Sequence, residues 1–201
     1  CLFRNMTLGV PKTMKFFREL QAMSEDNDCH VFVRGFQCDG EFLPVKEHKY
    51  KIEFVGDSIT SGEGTYGAIS DTDWLTMYMS SSENYATFTA KALDADYRII
   101  SQGGWGVYCG WDNDVRHNIP SYYEKICGLG FGKANEAAGA QKDYNFTSWK
   151  PDAIVVNLGT NDANAFNQPP FTIPETGETF KQHKNPDGNF MEKDRERFEN
   201  A

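Results

Sequence analysis

The sequence predicts an α/β domain built on a parallel sheet, and three observations carry that prediction. Lys51–Val55 and Asp96–Ser101 are short β-branched and aromatic runs separated by a stretch in which Tyr85, Phe88, Ala92 and Leu93 recur at helical spacing. Ala153–Leu158 is an almost unbroken apolar run, the pattern of a central parallel strand covered on both faces. Each of the three runs then ends in a turn rich in glycine and polar side chains: Gly56-Asp57-Ser58, Gln102-Gly103-Gly104 and Gly159-Thr160-Asn161-Asp162. Strands alternating with helical segments imply right-handed βαβ units, whose parallel strands bring such turns to one edge of the sheet.

In chain order, residues 1–49 read as the carboxyl-terminal part of a β-rich module and its linker, and residues 50–201 as the α/β domain. His30–Phe36 is a β-branched and aromatic run, Cys38-Asp39-Gly40 is a hairpin-type turn before Glu41–Leu43, and Lys12–Met23 leans to strand. Pro44–Tyr50 is a charged linker. Ile52, Phe54 and Val55 give the first strand its β-propensity, and Gly56 lets the chain bend. Residues 65–79 lack clear periodicity and read as loop with one short helix. Ser80 and Glu83 fit a capping box for the helix that follows. Residues 107–148 form a long excursion rich in Gly, Tyr and Asn, with one helix expected within Ile119–Cys127; such length commonly carries a binding surface.

Composition excludes several functions. The 201 residues hold 20 Lys and Arg against 29 Asp and Glu, a formal charge of -9. With a pI near 4.9 and no basic cluster, nucleic acid is not an expected partner. No apolar run approaches the roughly 18 to 20 residues of a membrane span, so no membrane partner is expected either. The five cysteines are far apart and lack C-x-x-C spacing, which reads as reduced structural thiols. The sequons at Asn5 and Asn145 do not decide a secreted origin, and the compartment is not read from a targeting segment ahead of Cys1.

Ser58 sits just past the carboxyl end of the first strand, the edge at which open α/β sheets bind ligands. An ordinary turn with Ser58 as a helix N-cap explains Gly-Asp-Ser alone equally well. Acyl transfer, however, needs a nucleophilic hydroxyl and donors aimed at a developing oxyanion, and the three turns offer a serine, glycine amides and the Asn161 carboxamide. Gly56-Asp57-Ser58, Gly104 and Gly159-Thr160-Asn161-Asp162 together resemble the SGNH (GDSL) hydrolase superfamily. Within it, Lys51–Thr60 after the tail of a β-module resembles the acetylxylan esterases of the second carbohydrate-esterase family. The resemblance spans about residues 30–200.

That resemblance implies a three-layer αβα sandwich, flavodoxin-like in its sheet, preceded by part of a jelly-roll β-sandwich. It implies a serine esterase removing acetyl or other short acyl groups, with an oligosaccharide or small-molecule ester as partner and no metal or organic cofactor. Ser58 is the implied nucleophile and an oxyanion donor through its amide. Gly104 gives a second amide, preferred over Gly103 from its place in the Gly-x-Gly-Val run to Val107, and Asn161 gives its side-chain nitrogen. Asp57 is structural. The family's general base is a histidine near its carboxyl terminus in an Asp-x-x-His or Gly-His-Pro context, which none of His30, His48, His117 and His183 matches. The chain stops at Phe198–Ala201 within a helix expected from about Met191, so both ends read as cuts and the base is expected beyond Ala201. Two alternatives stay open: a carbohydrate-binding module with a degenerate site, stacking sugars on Trp105, Tyr108 and Trp111, and a lipase- or thioesterase-type hydrolase of the same superfamily.

Overall fold

The strand Tyr50–Gly56 (β1) is the middle of a three-stranded parallel sheet in a computed structural model that describes residues 2–21 and 31–201. Ala95–Ser101 (β2) pairs with its whole length on one side, Tyr50 opposite Ala95 through Gly56 opposite Ser101. Ala153–Asn157 (β3) pairs with Ile52–Gly56 on the other. The spatial order is therefore β2-β1-β3, and the chain reverses its winding direction between β1 and β3. A crevice opens at the carboxyl ends of strands at such a reversal.

Alternation along β1 sends Ile52 and Phe54 to one face and Glu53 and Val55 to the other, and both faces are covered. On the first, Tyr85–Ala92 (α2) lays Ala86 and Ala90 against Ile52 and Phe54, while the Tyr85 ring meets Phe54 edge-on at 5.9 Å. Small alanines let the helix approach closely. The inward face of α2 is thus Tyr85, Ala86 and Ala90, and Phe88 and Leu93, expected to point inward, are 55% and 47% exposed. The cap also differs from the expected capping box. Asn84 closes the helix, accepting from the Thr87 amide at 3.1 Å, because Ser80 is bonded to Glu19 and Glu83 accepts from the Tyr66 hydroxyl.

On the second face Val55 packs with Ile119 and Tyr122, from the excursion. Glu53 is buried there and accepts a hydrogen bond from Tyr123 Oη at 2.5 Å. Burial and then the Glu53 carboxylate push the Tyr123 phenol up to about 12. The excursion is more structured than expected: Pro120–Tyr123 (α3) is a single turn rather than a helix to Cys127, and Lys133–Ala137 (α4) is a second. Ser58–Ser61 (α1) follows β1, and Thr76–Tyr78 is the one short helix of residues 65–79, in 3-10 form. Thr160–Ala165 (α5) follows β3.

Phe171–Thr172 (β4) and Thr179–Phe180 (β5) form a small antiparallel hairpin that the sequence reading missed. Beside it Lys181 Nζ donates to the carbonyls of Ala165, Phe166 and Gln168 at 3.0, 2.7 and 2.5 Å, satisfying the open end of α5. Glu192–Glu199 (α6) closes the described chain. Among the described residues no helix is long and apolar enough to cross a membrane.

The amino-terminal strands are a correction. Residues 12–21, 31–36 and 41–43 form no strand, and of the expected turn Asp39 and Gly40 make a bend without a paired ladder among the described residues; His30 and residues 22–23 lie outside them. β-propensity is a preference for a pleated, half-buried surface, and Val31, Phe32, Val33 and Phe36 are all exposed.

Candidate active site

Gly56 ends β1 where no side chain fits: a Cβ there would lie 2.0 Å from Thr60 Oγ1 and 2.9 Å from the Asn157 carbonyl. This lets the first turn press against the end of β3. Asp57, fully buried, is the N-cap of α1, accepting from the Ile59 amide at 3.0 Å. Burial pushes its carboxyl up from the ordinary value; the Ile59 amide opposes this, and the charges of Glu63 and Asp162 add to the rise. Ser58 is therefore the first residue of the helical turn and not its cap. Its hydroxyl makes no hydrogen bond among the described residues, and neither does its amide, which at this position has no acceptor within the helix.

The second turn approaches through Gly104, whose φ of +79° is left-handed and whose Cβ would meet Trp111 Cδ1 at 3.1 Å. Its carbonyl accepts from the Trp111 amide at 2.9 Å, but its own amide has no acceptor among the described residues. Gly103 differs: its amide is taken by Gln21 Oε1 at 2.7 Å.

The third turn ties the other two together. Asn161, 9% exposed, donates through Nδ2 to the Trp105 carbonyl at 2.8 Å and to Asp57 Oδ2 at 3.5 Å. The next residue, Asp162, is 1% exposed and accepts from the amides of Val107, Tyr108 and Cys109 at 2.8, 2.8 and 3.3 Å. Asp162 was visible in the Gly-Thr-Asn-Asp run, but its role required knowing which loop lay opposite. The Asn161 carboxamide is thus brought beside Asp57, one residue before Ser58, and beside Trp105, one residue after Gly104.

None of the described histidines is hydrogen-bonded to Ser58. His48 Nδ1 is 2.9 Å from Asp94 Oδ1, at the amino ends of β1 and β2, roughly 20 Å of strand from Ser58. The His117 ring stacks on Trp105 at 5.0 Å and lies 3.7 Å from the buried Asp114 carboxylate. His183 lies 3.8 Å from the buried Asp194. His30 falls outside the described residues. The described cysteines Cys38, Cys109 and Cys127 are free thiols; burial above all pushes Cys109 up to about 12. No group of three His, Cys, Asp or Glu side chains among the described residues is placed to hold a metal ion.

Comparison with known proteins gives the same direction from sequence and from backbone. No family model matches the chain. It is similar to an acetylxylan esterase / glucomannan deacetylase of Cellvibrio japonicus (strain Ueda107), 31% identical over 124 residues, which is 61% of this chain and 32% of that protein. Among solved structures it resembles an acetyl xylan esterase from the rumen bacterium Butyrivibrio proteoclasticus, with a TM-score of 0.76 and 61% identity over 81% of this chain and 44% of that one. It also resembles a family two carbohydrate esterase from Clostridium thermocellum in complex with cellohexaose, with a TM-score of 0.50 and 28% identity over 60% and 34% of the two chains. The chain spans about a third of the length of the curated Cellvibrio protein and less than half of the rumen enzyme. In sequence and in backbone alike, the chain is a homologue of the acetylxylan esterases of carbohydrate esterase family 2.

Proposed function

We propose that this chain carries the nucleophile and oxyanion hole of a serine esterase that removes acetyl or similar short acyl groups from carbohydrate. The observation that carries the reading is the meeting of three turns at the winding reversal: the amides of Ser58 and Gly104 without acceptors among the described residues, and Asn161 bridging from Asp57 to Trp105. Donors left unpaired at a strand edge are what a developing oxyanion requires. The homologues' names support the reaction class.

In this mechanism Ser58 Oγ attacks the ester carbonyl and passes its proton to a histidine acting as general base. The tetrahedral oxyanion is held by the Ser58 and Gly104 amides and Asn161 Nδ2. The histidine returns the proton to the departing sugar oxygen, and water, activated by the same base, then hydrolyses the acyl-enzyme. Asn161 Nδ2 has two protons; the short bond to Trp105 occupies one, and the contact with Asp57 at the outer limit of hydrogen bonding leaves the other free to turn to substrate. A carbohydrate substrate is favoured over a lipid by Trp111, which lies against Gly104 and keeps 47% of its surface open for stacking on a sugar ring. We extend the proposal to the architecture: residues 50–201 as a three-layer αβα domain and residues 1–49 as the end of an amino-terminal module.

The test is turnover of 4-nitrophenyl acetate and acetylated xylan by the full-length protein. Ser58→Ala is expected to abolish acyl-enzyme formation, and Asn161→Ala to lower kcat on the order of 100- to 1000-fold with KM little changed. Full activity in the Ser58→Ala protein overturns the hydrolase reading and leaves sugar binding through the aromatic surface.

A further inference from the structure

We propose that Gln21, in the amino-terminal segment, is a positioning residue for the acyl-transfer site: its carboxamide oxygen fixes the Gly103–Gly104 turn. This rests on the reading of the Gly104 amide as an oxyanion donor. Gln21 Oε1 accepts from the Gly103 amide at 2.7 Å, a contact between residues 82 apart in sequence. The orientation of the carboxamide is dictated by its partner, since an amide N–H needs an acceptor and only the oxygen supplies one. Gly103 is enclosed on the same side by Trp74, whose Cζ2 would be 2.9 Å from a Cβ at that position, with Gln21 Nε2 at 3.0 Å. With its N–H held and its open side closed, Gly103 cannot rotate freely, and the peptide joining it to Gly104 keeps one direction.

The segment that delivers Gln21 is itself anchored. The Glu19 carbonyl accepts from Ser81 Oγ at 2.6 Å, and its carboxylate accepts from Ser80 Oγ and from Ser82 Oγ at 2.8 Å. Burial raises the Glu19 carboxyl, but the bonds from Ser80 and Ser82 outweigh it and hold it below its ordinary value. The Ser80 amide in turn donates to the Gly62 carbonyl at 3.1 Å, at the end of the turn that begins with Ser58. Residues 19–21 thus run from the neighbourhood of the first turn to the second. Among the described residues, Gln21 Nε2 is buried without a hydrogen-bond partner. A side chain selected for packing alone is better served by an apolar group of the same shape than by one that strands a donor, which places the value of Gln21 in its oxygen.

The experiment compares Gln21→Leu and Gln21→Glu with the wild type in the full-length protein, using 4-nitrophenyl acetate. Gln21→Leu removes the acceptor at similar size and is expected to lower kcat about 10- to 100-fold, with KM within about twofold and the folded fraction unchanged. Gln21→Glu keeps an acceptor at the same reach and is expected to recover much of that loss, and more as pH falls, because a neutral acid does not oppose an oxyanion as a carboxylate does. Wild-type kcat in Gln21→Leu, or equal losses in the two folded variants, overturns the proposal. If Gln21→Leu does not fold, Gln21→Glu carries the test: a ratio to wild-type kcat that stays flat across the carboxyl titration overturns it. Asn161→Ala, measured alongside, separates the two ideas. Its expected loss with no effect at Gln21 defeats only the Gln21 proposal, whereas unchanged kcat in Asn161→Ala defeats the oxyanion hole on which it rests.

Discussion

Strands β1 and β3 are both short and rich in apolar residues, Ile-Glu-Phe-Val against Ala-Ile-Val-Val, and lie side by side in parallel register, yet their surroundings are opposite. Ile52, Phe54 and Val55 are at most 6% exposed, whereas Ile154, Val155 and Val156 are 53%, 38% and 63% exposed. The more apolar strand is the less covered one. A continuous apolar run records what a strand is suited to, while burial depends on which elements lie over it, and in β1 those are α2 and the excursion. In both strands the backbone geometry that presents the turns is intact, so the site edge depends on pairing more than on the coverage of β3.

Substitutions measure this contrast through denaturant unfolding. Phe54→Ala is expected to cost about 3 to 5 kcal/mol, because the cavity opens between α2 and the sheet. Gly56→Ala follows at about 1 to 3 kcal/mol, as its methyl would overlap Thr60 and the end of β3. Asp57→Asn sharpens the comparison through pH. The Asp57 carboxyl is raised in the folded state, so its contribution to stability is full below its ordinary value of 3.8 and is lost as pH rises through the raised one. The wild type is therefore expected to gain on Asp57→Asn as pH is lowered from 7 to 4. Val156→Thr is expected to change stability by no more than about 0.5 kcal/mol. A loss there as large as that of Phe54→Ala breaks the contrast and means that β3 is covered in solution.

The three sheet strands were legible because their apolar runs and closing glycines are local signals, but β3, expected at the centre and covered on both faces, is an exposed edge strand of the described sheet. The helix cap was not legible, since Ser80, which suggested it, is occupied by Glu19, 61 residues earlier, and Glu83 by Tyr66. The strands expected in Lys12–Met23 and His30–Phe36 do not form in the described parts, residues 12–21 and 31–36, where β-branched and aromatic residues find no paired ladder. At the candidate site, the residue types in each turn were readable, but Gln21 gave no signal: a glutamine in a segment without regular structure acquires meaning only from the amide it meets.

Asn161 and Asp162 hold adjacent parts of one loop, the first the carbonyl of Trp105 and the second the amides of Val107 to Cys109. In mechanical terms the loop after β2 and the turn after β3 are riveted into a single body, while Ser58 travels with the end of β1. The site thus has few independent degrees of freedom. A push on α5 carries Asn161 and the Trp105–Cys109 arc with it, and the long contact from Asn161 to Asp57 is the weakest tie between that body and the turn of the serine.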